Sequence, residues 1–224
     1  MSETLPISVV LTTFNSEKFI KESLDSVFNQ LLSPSEIIVV DNGSSDSTRD
    51  IVEGFQIPFF VQTEGKVGTS RNLGAEKTHS QFIKYLDGDD LLEPDALEVL
   101  YWEQKTSGAP YVYGQSLNFI DPSYVAKNSG SLAHVEKPLL TPMTLTSLVD
   151  RLVFDKYGFP ESDNHSWNRW FVQATAGKMQ VQTISTVVGK RRIHNDNISH
   201  QQDAKSELFK LIAQKLEKGS GNNG

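Results

Sequence analysis

Along the first half of the chain, apolar positions switch repeatedly between two rhythms. Ile7 to Thr12 is a short apolar run rich in β-branched residues with little polar alternation, which predicts a strand buried on both faces of a parallel sheet. Asn15 and Ser16 follow as N-cap candidates, and Phe19, Ile20, Leu24, Val27 and Phe28 then fall at helical spacing. A second apolar run, Ile37 to Val40, ends at Asp41, and the turn Asn42 to Asp46 leads into a helix carrying Ile51, Val52 and Phe55. Pro58 to Gln62 predicts a third strand, Thr69 to Lys77 a helix, and Gln81 to Leu86 a fourth strand running into Asp87. Pro94 stands where a first helical turn tolerates it, and Gly108 closes the helix that it opens.

This repetition predicts an α/β fold, with a mostly parallel sheet and helices on both faces. The rhythm breaks after about Asp121. Residues 121–144, rich in Pro, Ser, Gly and Asn, read as a loop or excursion. Trp167, Trp170, Phe171 and Ala174 mark a helix from about Asp163 to Ala176, and short strands are expected at Gln180 to Ile184 and Thr186 to Gly189. Residues 201–218 predict an amphipathic helix and 219–224 a tail, so residues 1–218 are expected to form one domain. Within it, 1–120 make a binding half and 121–200 an acceptor and catalytic half.

Composition narrows the function. A hydrophobic fraction of 38% and a charged fraction of 22% are those of a globular protein, and 224 residues can bury a core without covalent staples. The net charge of -7 argues against a nucleic-acid partner, whose phosphates need clustered Lys and Arg, but a metal ion could still recruit a phosphate ligand. With no cysteine, thiolate chemistry and disulfides are excluded. Neither a signal peptide nor a transmembrane stretch is evident, so the expected location is cytoplasmic, leaving room for peripheral membrane association.

Ligands of such sheets bind beyond the carboxyl ends of the strands. Three predicted strands end there in polar elements: Thr12-Thr13-Phe14-Asn15, Asp41-Asn42, and Asp87-Gly88-Asp89-Asp90. Alternate carboxylates in an extended segment would project to one side, and two hard oxygen ligands suit Mn²⁺ or Mg²⁺ bound with a substrate's phosphates. Gly88 would let the backbone approach the ligand. The competing reading is an acidic turn leading into a helix. Asp41 could accept hydrogen bonds from a base or ribose, and Arg71 could neutralise a diphosphate rather than sit solvated at the surface. Late in the chain, Arg191-Arg192-Ile193-His194 offers His194 to a metal and arginines to phosphate, or else a solvated strand end.

Together, the segments 8–15, 36–46, 68–74 and 85–90 resemble, in order, the motifs of the family 2 glycosyltransferases of the GT-A fold. The resemblance implies that Thr12, Phe14 and Asp41 hold the nucleotide base, Arg71 contacts the nucleotide, Asp87 lies near the ribose, and Asp89 ligates the metal that bridges to the diphosphate. It implies an inverting transfer from a nucleoside diphosphate sugar, with uridine the leading nucleoside, to a hydroxyl acceptor (glycan, lipid-linked or other). The family's usual Glu-Asp before an aromatic-rich helix, whose Asp is the general base, is replaced by His165-Ser166. Asp163 and His165 are therefore the candidate bases. The segment 192–199 resembles the family's late Arg-x-His element, with His194 near the metal or diphosphate. Two other readings are a nucleotide-sugar-binding module without catalysis and a sugar-phosphate nucleotidyltransferase. Thr12-Thr13-Phe14-Asn15 lacks the Gly-rich basic signature that the latter would carry.

Overall fold

The computed structural model describes residues 4–63, 66–124, 135, 137–160 and 166–195. The first half runs β1 (Thr4–Thr13), α1 (Ile20–Phe28), β2 (Ser33–Asp41), α2 (Thr48–Glu53), β3 (Phe59–Val61), α3 (Val67–Lys77), β4 (Phe82–Asp87), β5 (Leu91–Leu92) and α4 (Ala96–Ser107). The second runs β6 (Tyr111–Ile120), β7 (Leu139–Leu140), β8 (Ser147–Asp150), α5 (Arg151–Tyr157), α6 (Ser166–Ala176) and β9 (Val181–Ile193). They form a single sheet in the order β3-β2-β1-β4-β8-β6-β9-β5, with β7 beside β6. Strands β1 to β4, β6 and β9 run one way, and β5, β7 and β8 the other, so the sheet is mostly parallel.

Strand alternation sends side chains to two buried layers. Ile7, Val9 and Leu11 of β1 pack with Ile20 and Leu24 of α1 and with Leu97 and Leu100 of α4. On the other face, Val10, Ile83 and Tyr85 pack with Phe154 of α5 and with Trp167, Trp170 and Ala174 of α6. The aromatic stripe read from the sequence is therefore a core seam: Phe154 and Trp170 stack at 4.8 Å. Helix α3 lies on this face so closely that a methyl group on Gly74 would fall 2.3 Å from Val10 Cγ1. Gly108 ends α4 in the left-handed conformation, at φ 67°, as its position predicted.

Several expectations change. Asn15 is no N-cap: α1 begins at Ile20, while Asn15, at φ 47°, ties two loops together by accepting from Ser45 N–H at 2.9 Å. The two short strands expected at 180–189 are one strand, β9, whose irregular register opposite Tyr113 to Ser116 explains the break in its pattern. Strands β5, β6 and β8 and helix α5 were not expected. β6 buries polar side chains such as Ser116 and Asn118, and this hides its hydrophobic signal. The described part of 121–144 holds the short β7, an isolated bridge from Val135 to Asn118, and turns. The start of the helix expected at Asp163, and the helix expected at 201–218, lie outside the described residues.

Candidate functional site

Order β3-β2-β1-β4 puts a topological switch at β1, since the chain moves to β2 on one side and reaches β4 on the other. Crevices form beyond the carboxyl ends at such points. Register aligns the tips: Thr13 lies opposite Asp41, and Thr12 opposite Asp87. The three polar elements therefore share one rim, as the sequence predicted.

Asp41 is buried and accepts from the N–H groups of Gly43 (3.2 Å) and Ser44 (2.8 Å) and from the Ser44 hydroxyl. Phe14, one residue beyond the Thr13 that pairs with Asp41, leaves 55% of its surface exposed, so its ring is open to a flat partner. Asp87 receives three hydrogen bonds: from the Thr12 hydroxyl at 3.0 Å, from Arg71 Nη2 at 3.1 Å and from the Thr144 hydroxyl at 3.2 Å. Arg71 is buried rather than solvated, and its own carbonyl accepts from the Tyr85 hydroxyl at 2.9 Å.

The segment after β4 is not extended. Asp90 N–H donates to Asp87 C=O at 3.1 Å, closing a tight turn, so the carboxylates diverge instead of projecting to one side. Asp87 faces Arg71. Asp89 faces His194, whose Nε2 lies 2.9 Å from Asp89 Oδ2. Asp90 points inward and accepts from Arg192 N–H at 3.0 Å. Burial, then the neighbouring Asp89 and Asp87 charges, push the Asp90 carboxyl well above its ordinary range. The close approach at Gly88 is to the fold itself, since a methyl group there would meet Thr13 Oγ1 at 2.8 Å.

Arg192 is not available to phosphate. It is buried between the rings of Phe19 (4.9 Å) and Phe119 (4.7 Å), pairs with Glu22 and with Asp121 at 3.2 Å, and donates to Asp89 C=O at 3.0 Å. It thus fixes the turn that carries Asp89. Asp163 and His165 lie outside the described residues.

Among the described residues no group of three His, Cys, Asp or Glu side chains could hold a metal ion. Asp89 and His194 supply one hard oxygen and one imidazole at the rim. That donor set fits Mn²⁺ or Mg²⁺ only where a ligand's phosphates and water complete the shell, which is how Mg²⁺ is usually bound.

Sequence reasoning missed Thr144 and Lys84. Lys84, fully buried in β4, donates to the carbonyls of Thr144 (2.9 Å) and Leu145 (2.5 Å). Burial pushes its ammonium down to about 7, against the pull of Asp87 and Asp90. A lysine inside a strand buried on both faces was the available signal. No pattern in the sequence marks Thr144.

A mostly parallel α/β sheet with an acidic rim at its switch point agrees with the GT-A fold that the sequence motifs resemble. The chain belongs to glycosyl transferase family 2, whose family model matches residues 8–166. It is 35% identical over 101 residues to the putative glycosyltransferase EpsH of Bacillus subtilis, covering 43% of this chain and 29% of EpsH. Its fold is similar to that of TarS 1-349 from S. aureus in complex with UDP-GlcNAc (TM-score 0.72, 20% identity, 93% of this chain and 66% of that one). It is also similar to the mannosyltransferase PcManGT from Pyrobaculum calidifontis in complex with GDP-Man and Mn²⁺ (TM-score 0.73, 14% identity, 96% of this chain and 65% of that one). The match takes in well under half of EpsH, and at these identities the solved structures speak for the fold alone.

Proposed function

We propose that this chain transfers a sugar from a nucleoside diphosphate donor, with uridine the leading nucleoside, to a hydroxyl acceptor with inversion of configuration. The observation that carries the reading is the in-register meeting of Asp41, Thr12 and Asp87 at one rim, with Phe14 exposed beside them. In this reading Thr12, Phe14 and Asp41 receive the base, Phe14 by stacking on it. Arg71, with Asp87 beside it and Gly88 in the turn, receives the ribose and diphosphate. Asp89 and His194 would hold Mn²⁺ or Mg²⁺, which supplies Lewis-acid stabilisation of charge on the departing diphosphate. Asp163 or His165 takes the acceptor's proton.

The setting belongs to the same proposal. Residues 1–218 act as one domain, in the cytoplasm, with the acceptor a glycan or a lipid-linked molecule at a membrane surface. Among the described residues no helix is long and apolar enough to cross a membrane. A second reading, a donor-binding module without turnover, is favoured by His165-Ser166 standing where the family carries Glu-Asp.

A thermal-shift screen of UDP, GDP and dTDP, each with and without Mn²⁺, tests the donor site. A ligand at a hundredfold excess over its Kd stabilises by about 2.7 kcal/mol, and uridine with metal is expected to lead. No shift with any of them would overturn the reading. Transfer or donor hydrolysis by the purified chain separates enzyme from module, and tight binding without either would favour the module.

A further inference from the structure

We propose that Lys84 is a positioning residue of the donor site, aiming the Asp87 carboxylate from inside the sheet through Thr144. The inference rests on the donor-site reading above.

Strand β8 pairs with β4 only at Phe82 and Ile83, so the upper end of β4, from Lys84 to Asp87, has no strand on that side. The turn that precedes β8 lies there instead. Lys84 Nζ reaches its Thr144 and Leu145 carbonyls, and the Thr144 hydroxyl reaches Asp87 Oδ2. Lys84 and Asp87 are three residues apart on one strand, yet the path between them runs through a side chain 57 positions beyond Asp87.

Two observations make this more than core packing. The turn has other supports: the Thr146 hydroxyl donates to Thr141 C=O at 2.6 Å, Ser147 to Met143 C=O at 2.6 Å, and Trp167 Nε1 to Pro142 C=O at 3.2 Å. None of them holds Thr144 itself. Lys84 does, and it brings a buried ammonium to the task although its hydrogen-bond partners are two neutral carbonyls. A buried charge without a carboxylate partner is a costly way to hold a turn, because desolvating the ammonium outweighs what two neutral acceptors return. What it gains here is location, since it lies near enough to Asp87 and Asp90 for their charges to act on it. With the Thr144 hydroxyl fixed, Asp87 is held from three sides, by Thr12, Arg71 and Thr144. A carboxylate held so keeps its orientation when the nucleotide arrives, and less ordering is left for binding to bring about.

The test is a double-mutant cycle on the full chain, reading the Kd of UDP, or of GDP should the wild type prefer it, in Mn²⁺ by calorimetry. Lys84→Met and Thr144→Val are each expected to weaken binding about tenfold, the worth of one hydrogen bond to a charged group. The double variant is expected to be no weaker than the worse single one, because both act on the same link. Thr144→Ser keeps the hydroxyl and restores binding. Lys84→Gln keeps N–H donors in a neutral side chain, is expected to lose less than Lys84→Met, and serves in its place if Lys84→Met does not fold. A lysine that only stabilised the core would lower Tm and leave the Kd of the folded protein unchanged. Wild-type Kd in the Lys84 variants, or effects that multiply independently, would overturn the proposal. Asp87→Asn is the control. If it loses binding while the Lys84 variants do not, only this inference falls. If the wild type binds neither nucleotide, the donor-site reading falls first.

Discussion

The imidazole of His194 stands 2.9 Å from the carboxylate of Asp89, though 105 positions separate them in the chain. The contact joins the turn after β4 to the end of β9, and so links the two halves of the protein at the rim. His194 is held by more than this pair, since its ring lies 4.5 Å from Phe19 and is buried.

Asp89→Ala should remove the metal-dependent part of nucleotide affinity while leaving the fold intact, because this carboxylate is partly exposed and not in the core. His194→Ala should reduce the same component less. Calorimetry with UDP in the presence and absence of Mn²⁺ checks both. Unchanged metal dependence in Asp89→Ala would remove the pair from the metal site.

Arg192→Ala is expected to destabilise the protein by about 3–5 kcal/mol, since it leaves the largely buried Asp121 carboxylate without its cation. Hydrogen bonds from Ser123 and Arg192 hold that carboxyl below its ordinary range. Urea unfolding measures the loss. Arg192→Lys should recover only part of it, as an ammonium cannot fill the flat slot between Phe19 and Phe119. A variant as stable as wild type would return Arg192 to the pool of phosphate ligands.

Lys84 gives stability a definite pH dependence. Its pKa falls from 10.5 in the unfolded chain to about 7 in the fold, where burial disfavours the charge against the pull of Asp87 and Asp90, with the Thr144 and Leu145 carbonyls as its contacts. Between those values the unfolded state binds the extra proton, so this group makes stability rise with pH from about 7 to about 10.5. Below about 7 both states are protonated and the burial cost is present in full. The free-energy difference between wild type and Lys84→Met should therefore move in favour of wild type across that interval. A difference independent of pH would mean that Lys84 does not change protonation on unfolding.

Gly74→Ala tests how closely α3 must lie on β1. A helix interior normally gains about 1 kcal/mol from this change, but overpacking costs about 1–3 kcal/mol. With Val10 Cγ1 2.3 Å from the new methyl carbon, net destabilisation is expected, read as a lower Tm. Because Arg71 sits on the same helix, nucleotide binding should weaken as well.

Asp163→Asn should slow transfer more than it weakens donor binding, if Asp163 takes the acceptor's proton. Equal kcat in that variant would pass the role to His165, and His165→Gln is the companion measurement.

The strand–helix rhythm, the convergence of Asp41 and the Asp87 turn, and the family motifs from Ser8 to Asp90 were all legible along the chain. The first two rest on local periodicity and strand ends, which the hydrophobic pattern encodes, and the third on residue identities at those strand ends that resemble a known family. Three things were hidden. β6 buries Ser116 and Asn118, so its pattern does not look apolar. Arg192 reads as a free cation, because the two aromatic rings and the carboxylates that enclose it come from distant segments. Thr144 reads as one threonine among several in a polar stretch.

The sequence by itself determined the parallel sheet and its rim, since burial on both faces of a strand leaves its mark residue by residue, and its ordered motifs carried the resemblance to the family. Only the tertiary structure decided where each carboxylate of Asp87, Asp89 and Asp90 points. Their aim depends on a tight turn and on Arg71, Thr144, Arg192 and His194, which reach that turn from α3, from the turn before β8 and from the end of β9. Pairwise contacts between segments so far apart have no periodic trace in the chain.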